Sequence, residues 1–133
     1  MDVILDTCAF LYLCTDNPKL SAKAKLVILN GQNRRLLSIA SIWEMAIKAN
    51  PYRKPETRLL LSKPLNDFIT EYLHVYRIEV IPIEMESLSH VAVLPEIHAD
   101  PFDRLIIAQS IVMSIPIVTE DSKFEDYGVD IIW

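Results

Sequence analysis

Short apolar runs recur along this chain, and four of them give way to an acidic residue. Asp6 follows Val3-Ile4-Leu5, Glu44 follows Ile39-Ala40-Ser41-Ile42-Trp43, Asp103 follows Pro101-Phe102, and Asp121 comes just after Ile115-Pro116-Ile117-Val118-Thr119. Segments with helical spacing and capping residues lie between the runs. Strand alternating with helix predicts an α/β chain, a three-layer α/β/α sandwich around a mostly parallel sheet. In such a sheet ligands gather outside the carboxyl ends of the strands. The four acids, distant in sequence, would then meet in one cleft. Like charges crowded together are costly unless a cation lies between them, and a divalent metal is the usual answer.

The punctuation supports this frame. Asp2–Leu5 reads as a strand and Thr7–Leu13 as a helix. Ser21 caps a second helix over Ala22–Asn30, with Gly31 in the usual glycine stop position. Leu36–Ser38 is the next strand. Ser41-Ile42-Trp43-Glu44 has capping-box spacing and opens a helix to about Asn50, ahead of Pro51. A basic, proline-bearing connection follows, in which Leu59-Leu60-Leu61 suits a short helix or a hairpin. Pro64 opens a helix to Val75, Val80–Ile83 is a strand, and Met85–Val93 a helix. Asp100 caps a helix that has Pro101 in its first turn and runs to Met113. Ile117–Thr119 and Asp130–Ile132 are strands, with a helical turn at Lys123–Tyr127 between them. No repeat or low-complexity segment interrupts the pattern, so residues 1–133 form a single domain.

Each acid also has a purely structural reading. Asp6 caps the next helix as readily as it binds a ligand. Glu44 is the capping-box partner of Ser41. Asp103 stands in the first turn of a helix, where negative charge suits the dipole, and Asp121 caps the following turn. Capping and metal binding are compatible, because helix N-termini favour anions. Other chemistries are poorly served. With only Gly31 and Gly128 there is no phosphate-cradling loop and no dinucleotide fingerprint. No G-x-S-x-G elbow is present. His74, His90 and His98 make no zinc-binding pair on one helix face and read as surface or core residues, although His98 stands two positions before Asp100.

Cys8 and Cys14 match no zinc spacing and read as two small core residues of a reducing, cytoplasmic setting. The opening Met-Asp-Val shows no signal peptide, and the apolar stretch from Leu105 to Val118 is too short and too interrupted to span a membrane. The net charge of −5 conceals an asymmetry. Residues 1–66 carry ten basic and five acidic side chains, and residues 67–133 carry three basic and thirteen acidic. Lys48, Arg53, Lys54, Arg58 and Lys63 crowd into sixteen residues, either a solvated face or a track for a phosphate backbone.

Val3-Ile4-Leu5-Asp6-Thr7, Ser41-Ile42-Trp43-Glu44-Met45-Ala46-Ile47-Lys48, His98-Ala99-Asp100-Pro101-Phe102-Asp103-Arg104-Leu105-Ile106-Ile107-Ala108-Gln109 and Val118-Thr119-Glu120-Asp121 resemble the motifs of PIN-domain ribonucleases. The resemblance is closest to VapC-type toxins of toxin–antitoxin modules and runs through the chain in order. It implies that Asp6, Glu44, Asp103 and Asp121 are the catalytic, metal-binding acids and that Thr119 orients a carboxylate or water, with Asp100 a further acid beside the site. It also implies Mg²⁺ or Mn²⁺, RNA as substrate, homodimerisation and inhibition by a VapB-like antitoxin. Lys48, Arg53, Lys54 and Arg104 are then the candidates for gripping RNA. Two departures stand out: Cys8 where many relatives have histidine, and Ser114-Ile115-Pro116 in place of a glycine-bearing turn.

Two other functions fit less well. A phospho-accepting receiver domain needs an acidic pair after the first strand and a lysine after the last, and neither is present. A catalytically inactive PIN-like protein, acting by RNA or protein binding alone, would not need all four acids.

Overall fold

The computed structural model describes all residues from Met1 to Trp133. Its five strands are β1 (Asp2–Leu5), β2 (Arg34–Ser38), β3 (Ile78–Ile81), β4 (Ile117–Val118) and β5 (Ile131–Ile132). All neighbours pair in parallel, in the order β3-β2-β1-β4-β5. The six helices are α1 (Thr7–Cys14), α2 (Ala22–Leu29), α3 (Ile39–Lys48), α4 (Leu65–Val75), α5 (Met85–Val91) and α6 (Pro101–Met113). Two 3-10 turns, Pro55–Thr57 and Ser122–Tyr127, complete the chain. The predicted α/β/α sandwich is thus observed, with the sheet wholly parallel.

Alternation along the strands builds two cores. Val3, Leu5, Leu37, Val118 and Ile132 face one side, where Phe10 and Leu13 of α1, Ile28 of α2, Met45 of α3 and Phe68 of α4 cover them. Ile4, Leu36 and Ile117 face the other, against Ile106 and Ile107 of α6 and against Phe124. A strand buried on both faces needs apolar residues at every position, and Val3-Ile4-Leu5, fully buried throughout, meets that need. From β1 the chain winds to β2 and β3 on one side, then crosses back to β4 on the other. This reversal opens a crevice at the carboxyl ends of β1 and β4, the place where open α/β sheets bind ligands.

Several sequence expectations need correction. Ser38, not Ser41, caps α3, its side chain accepting from the Ala40 amide at 3.1 Å. Ser41 is therefore inside the helix and buried, so the capping-box reading of Ser41 and Glu44 fails. Gly31 does not take the left-handed stop conformation, because α2 ends on Asn30 in an extended one. Left-handed residues instead follow α1 at Asp16 (φ 48°), α4 at Arg77 (φ 51°) and α6 at Ser114 (φ 55°), the last in the turn where the resemblance led us to expect glycine. The third strand lies two residues earlier than Val80–Ile83, since Pro82 has no N–H to give a ladder. Leu59-Leu60-Leu61 forms neither helix nor hairpin; the Leu59 amide donates to the Lys48 carbonyl at 2.8 Å, and Leu59 and Leu61 lean on the first core. Cys14 is buried as expected, but Cys8 is exposed. No helix is long and apolar enough to cross a membrane.

Candidate active site

The crevice is a cleft of about 370 Å³ lined by Asp6, Thr7, Cys8, Glu44, Lys48, Asp100, Asp103, Glu120 and Asp121. All four acids singled out from the sequence are among them, together with Asp100. Asp6 leaves β1 and caps α1, with Oδ1 accepting from the Ala9 amide at 2.7 Å. Its capping role and its place at the sheet edge thus coexist. Loss of hydration in its buried position is the main force on its carboxyl. The hydrogen bonds from Thr119 and the Ala9 amide pull the other way, while the charges of Glu120 and Glu44 add to the rise. The result is a pKa pushed up to about 6.

Glu44 sits on α3 and is buried, its Oε1 accepting from the Thr7 hydroxyl at 2.7 Å. The Ser41 hydroxyl lies 3.0 Å from that of Thr7, and Lys48, one turn along α3, pairs with Oε2. The partial burial of Lys48 works against its charge, but the hydrogen bond and charge of Glu44, helped by Asp100, hold its pKa above the ordinary lysine value. Lys48 is therefore the fixed positive charge of the cleft.

Asp103 lies in the first turn of α6, behind the capping Asp100 whose Oδ1 accepts from the Phe102 amide (2.8 Å) and the Asp103 amide (3.3 Å). Burial, and next the charge of Asp100, raise Asp103; His98 opposes them, and Asp6 and Glu44 contribute further, leaving a pKa of about 7. Asp121 behaves in the opposite way. Burial favours its neutral form, yet hydrogen bonds from His98 and the Lys123 amide, with the charge of Lys123, hold it below the usual aspartate range. The fully buried Thr119 accepts from the Asp121 amide at 3.1 Å, and its hydroxyl is close enough to Asp6 to favour the charged carboxylate.

Three further contributors were not among the predicted site residues, although His98 stands out in the sequence for its place beside Asp100. His98, read as an ordinary surface or core histidine, has Nε2 2.8 Å from Asp121 Oδ2 and 3.3 Å from Asp103 Oδ2. One ligand atom each from His98, Asp103 and Asp121 lie within 4.8 Å of one another. Thr7 anchors Glu44, and the exposed Glu120, held by the Tyr12 hydroxyl at 2.9 Å, adds another acid to the rim. The proximity of His98 to Asp100 in sequence was the one available signal.

The basic candidates divide. Lys48 lines the cleft. Arg53 and Lys54 lie beyond the end of α3, Lys54 exposed and Arg53 held by Thr57 through its carbonyl (3.1 Å) and hydroxyl (3.2 Å). Arg104 does not line the cleft. Its guanidinium donates to the carbonyls of Pro95 (2.7 Å) and Leu94 (3.2 Å), and lies 3.3 Å from the Tyr127 hydroxyl. It buttresses the loop before α6, so the expectation that it grips RNA is withdrawn.

The donor set is chiefly carboxylate oxygen, the set hard divalent cations prefer. Two carboxyls are held above their normal range, chiefly by burial and in part by neighbouring acids, so a cation in the cleft would replace the hydration they have lost. Among solved structures the fold is similar to VapBC2 from Rickettsia felis bound to a DNA fragment from its promoter, with a TM-score of 0.72 and 18% identity over 98% of this chain and 97% of the other. It is also similar to DNA-bound VapBC from Salmonella typhimurium (TM-score 0.66, 17% identity, 98% and 96% covered). The PIN domain endonuclease Utp24 is a more distant likeness (TM-score 0.52, 16% identity, 95% and 75% covered). At such identities these likenesses speak for the fold. The sequence has no significant match among curated proteins. Residues 3–130 do match the PIN domain, nearly the whole chain, so this protein belongs to the PIN-domain family.

Proposed function

We propose that this protein is a metal-dependent endoribonuclease, a VapC-type toxin that cleaves RNA and is held in check by a VapB-like antitoxin. The observation that carries the reading is the convergence of Asp6, Glu44, Asp103 and Asp121 on the crevice between β1 and β4, two of them with raised pKa. Mg²⁺ or Mn²⁺ suits the oxygen-rich donor set, with Asp6 and Asp103 as principal ligands and Asp121 and Glu44 supporting. When bound, such a cation lowers the pKa of a coordinated water and neutralises charge on phosphate oxygens.

The protein's own part is positioning. Asp6 is fixed by the Ala9 amide, so its carboxylate stays aimed at the cleft. Glu44, gripped by Thr7 and Lys48, is as rigid. Lys48 and the basic residues beyond α3, Arg53 and Lys54, offer the scissile strand a positive approach to an otherwise repelling site. Ile39, Trp43 and Ile47 form an exposed apolar row one turn apart on α3, an area suited to a second copy or to the antitoxin.

The direct test is cleavage of an end-labelled RNA in Mg²⁺ by wild type, Asp6→Asn and Asp103→Asn. Both substitutions remove a charge and keep the size of the side chain, and each should lower the rate by at least about 100-fold, equivalent to about 2.7 kcal/mol of lost transition-state stabilisation. Undiminished cleavage by either folded variant overturns the assignment.

A further inference from the structure

The loop ahead of α6 is held from several sides, and it carries one side chain into the acid cluster. Arg104 ties its backbone at Leu94 and Pro95. The His98 amide donates to the Tyr127 hydroxyl at 2.6 Å. The His98 ring stands edge-on to Phe124, with centroids 5.7 Å apart and planes at 84°, and its side chain is only 13% exposed. The imidazole therefore has one orientation, and its two nitrogens face different partners.

The Asp100 amide donates to Nδ1 at 3.2 Å. A ring nitrogen that accepts a hydrogen bond carries no proton, so the neutral ring carries its hydrogen on Nε2. That nitrogen faces Asp121 Oδ2 at 2.8 Å and Asp103 Oδ2 at 3.3 Å. By distance alone the imidazole belongs with the two carboxylates as a prospective metal ligand. The tautomer argues otherwise. A ligating nitrogen must present a lone pair, and Nε2 presents a hydrogen. Moving that hydrogen to Nδ1 would set it against the Asp100 N–H and cost the loop a hydrogen bond.

We infer that His98 is a positioning residue: it donates from Nε2 to the carboxylate of Asp121, with Asp103 3.3 Å away, and fixes the orientation of this pair in the cleft without binding the cation itself. The inference rests on the metal-dependent reading above. Donors of this kind, one step removed from the ion, typically change metal affinity by about 10–100-fold when lost.

The test uses Mn²⁺ itself as probe, with affinity measured by calorimetry. Asparagine at position 98 places an acceptor near the Asp100 amide but is too short to reach the two carboxylates, whereas glutamine carries an N–H donor to about the depth of Nε2. His98→Asn should weaken Mn²⁺ binding by about 10–100-fold, and His98→Gln should recover most of that loss. Pulsed electron paramagnetic resonance of Mn²⁺ in the wild-type protein needs no variant and should show no directly bound imidazole nitrogen. A ligated-nitrogen signal overturns the inference. So does a folded His98→Asn that binds Mn²⁺ as tightly as wild type, which would leave the histidine a structural part of its loop. If wild type binds no Mn²⁺ at all, the metal-dependent reading fails first, and this inference with it.

Discussion

Asp6 and Asp103 carry a stability signature that follows from their surroundings. Both have folded pKa values, about 6 and about 7, above the 3.8 of an ordinary aspartate. A carboxyl raised by folding gives its full contribution to stability below its unfolded pKa and loses it as pH climbs through the folded one. In EDTA the protein should therefore weaken between about pH 4 and pH 7, by on the order of 3 kcal/mol for the well-buried Asp6 alone. Asp121, held low, acts with the opposite sign and loses its contribution only as pH falls below the aspartate range. Denaturant midpoints in EDTA at pH 5 and pH 8 decide the matter: the midpoint should be lower at pH 8, and an equal or higher one contradicts the burial of these two acids without a compensating charge. These positions were legible in the sequence because a carboxylate directly after a strand, or in the first turn of a helix, is placed by local geometry. His98 and Glu120 were not. Their roles depend on how a loop and a strand end fold back over one another, which no local spacing encodes.

α6 was the most legible element, since an aspartate cap, a first-turn proline and an apolar run specify its start within a residue. α3 was misread at its start because two serines three residues apart offered rival caps, and tertiary burial decided between them. Ser41 is drawn into the core beside Thr7, leaving Ser38 to cap. β3 was misplaced because the apolar run continues through Pro82, and only the missing amide ends the ladder. The connection from Pro51 to Lys63 had no period to read, and it is largely irregular. Its function, in our account, is charge. Replacing Arg53 and Lys54 together by alanine, in an Asp103→Asn background that spares the RNA, should weaken RNA binding. It should also shrink the slope of log affinity against log salt by about 0.7 for each phosphate of a single strand that is no longer neutralised. An unchanged slope would show that RNA takes another path.

The molecule as a whole is a sheet whose winding reverses beside β1, with acid gathered at the resulting crevice and base beyond α3. The parallel order was implied by strands alternating with helices, but the pairing of β1 with both β2 and β4 depends on which faces the helices cover. Only the two cores, each made of residues distant in sequence, fix that. The crevice costs stability while it lacks a counter-charge, and a ligand that binds only the assembled site returns stability by mass action. The decisive measurement is the thermal melting of wild type and Asp103→Asn at pH 7, in EDTA and in Mg²⁺. At a hundredfold excess over its dissociation constant, Mg²⁺ should stabilise wild type by about 2.7 kcal/mol. Asp103→Asn should melt higher than wild type in EDTA, having lost one repelling charge, and should respond less to Mg²⁺. Wild-type melting indifferent to Mg²⁺, with an asparagine variant no more stable in EDTA, would contradict a shared cation centre.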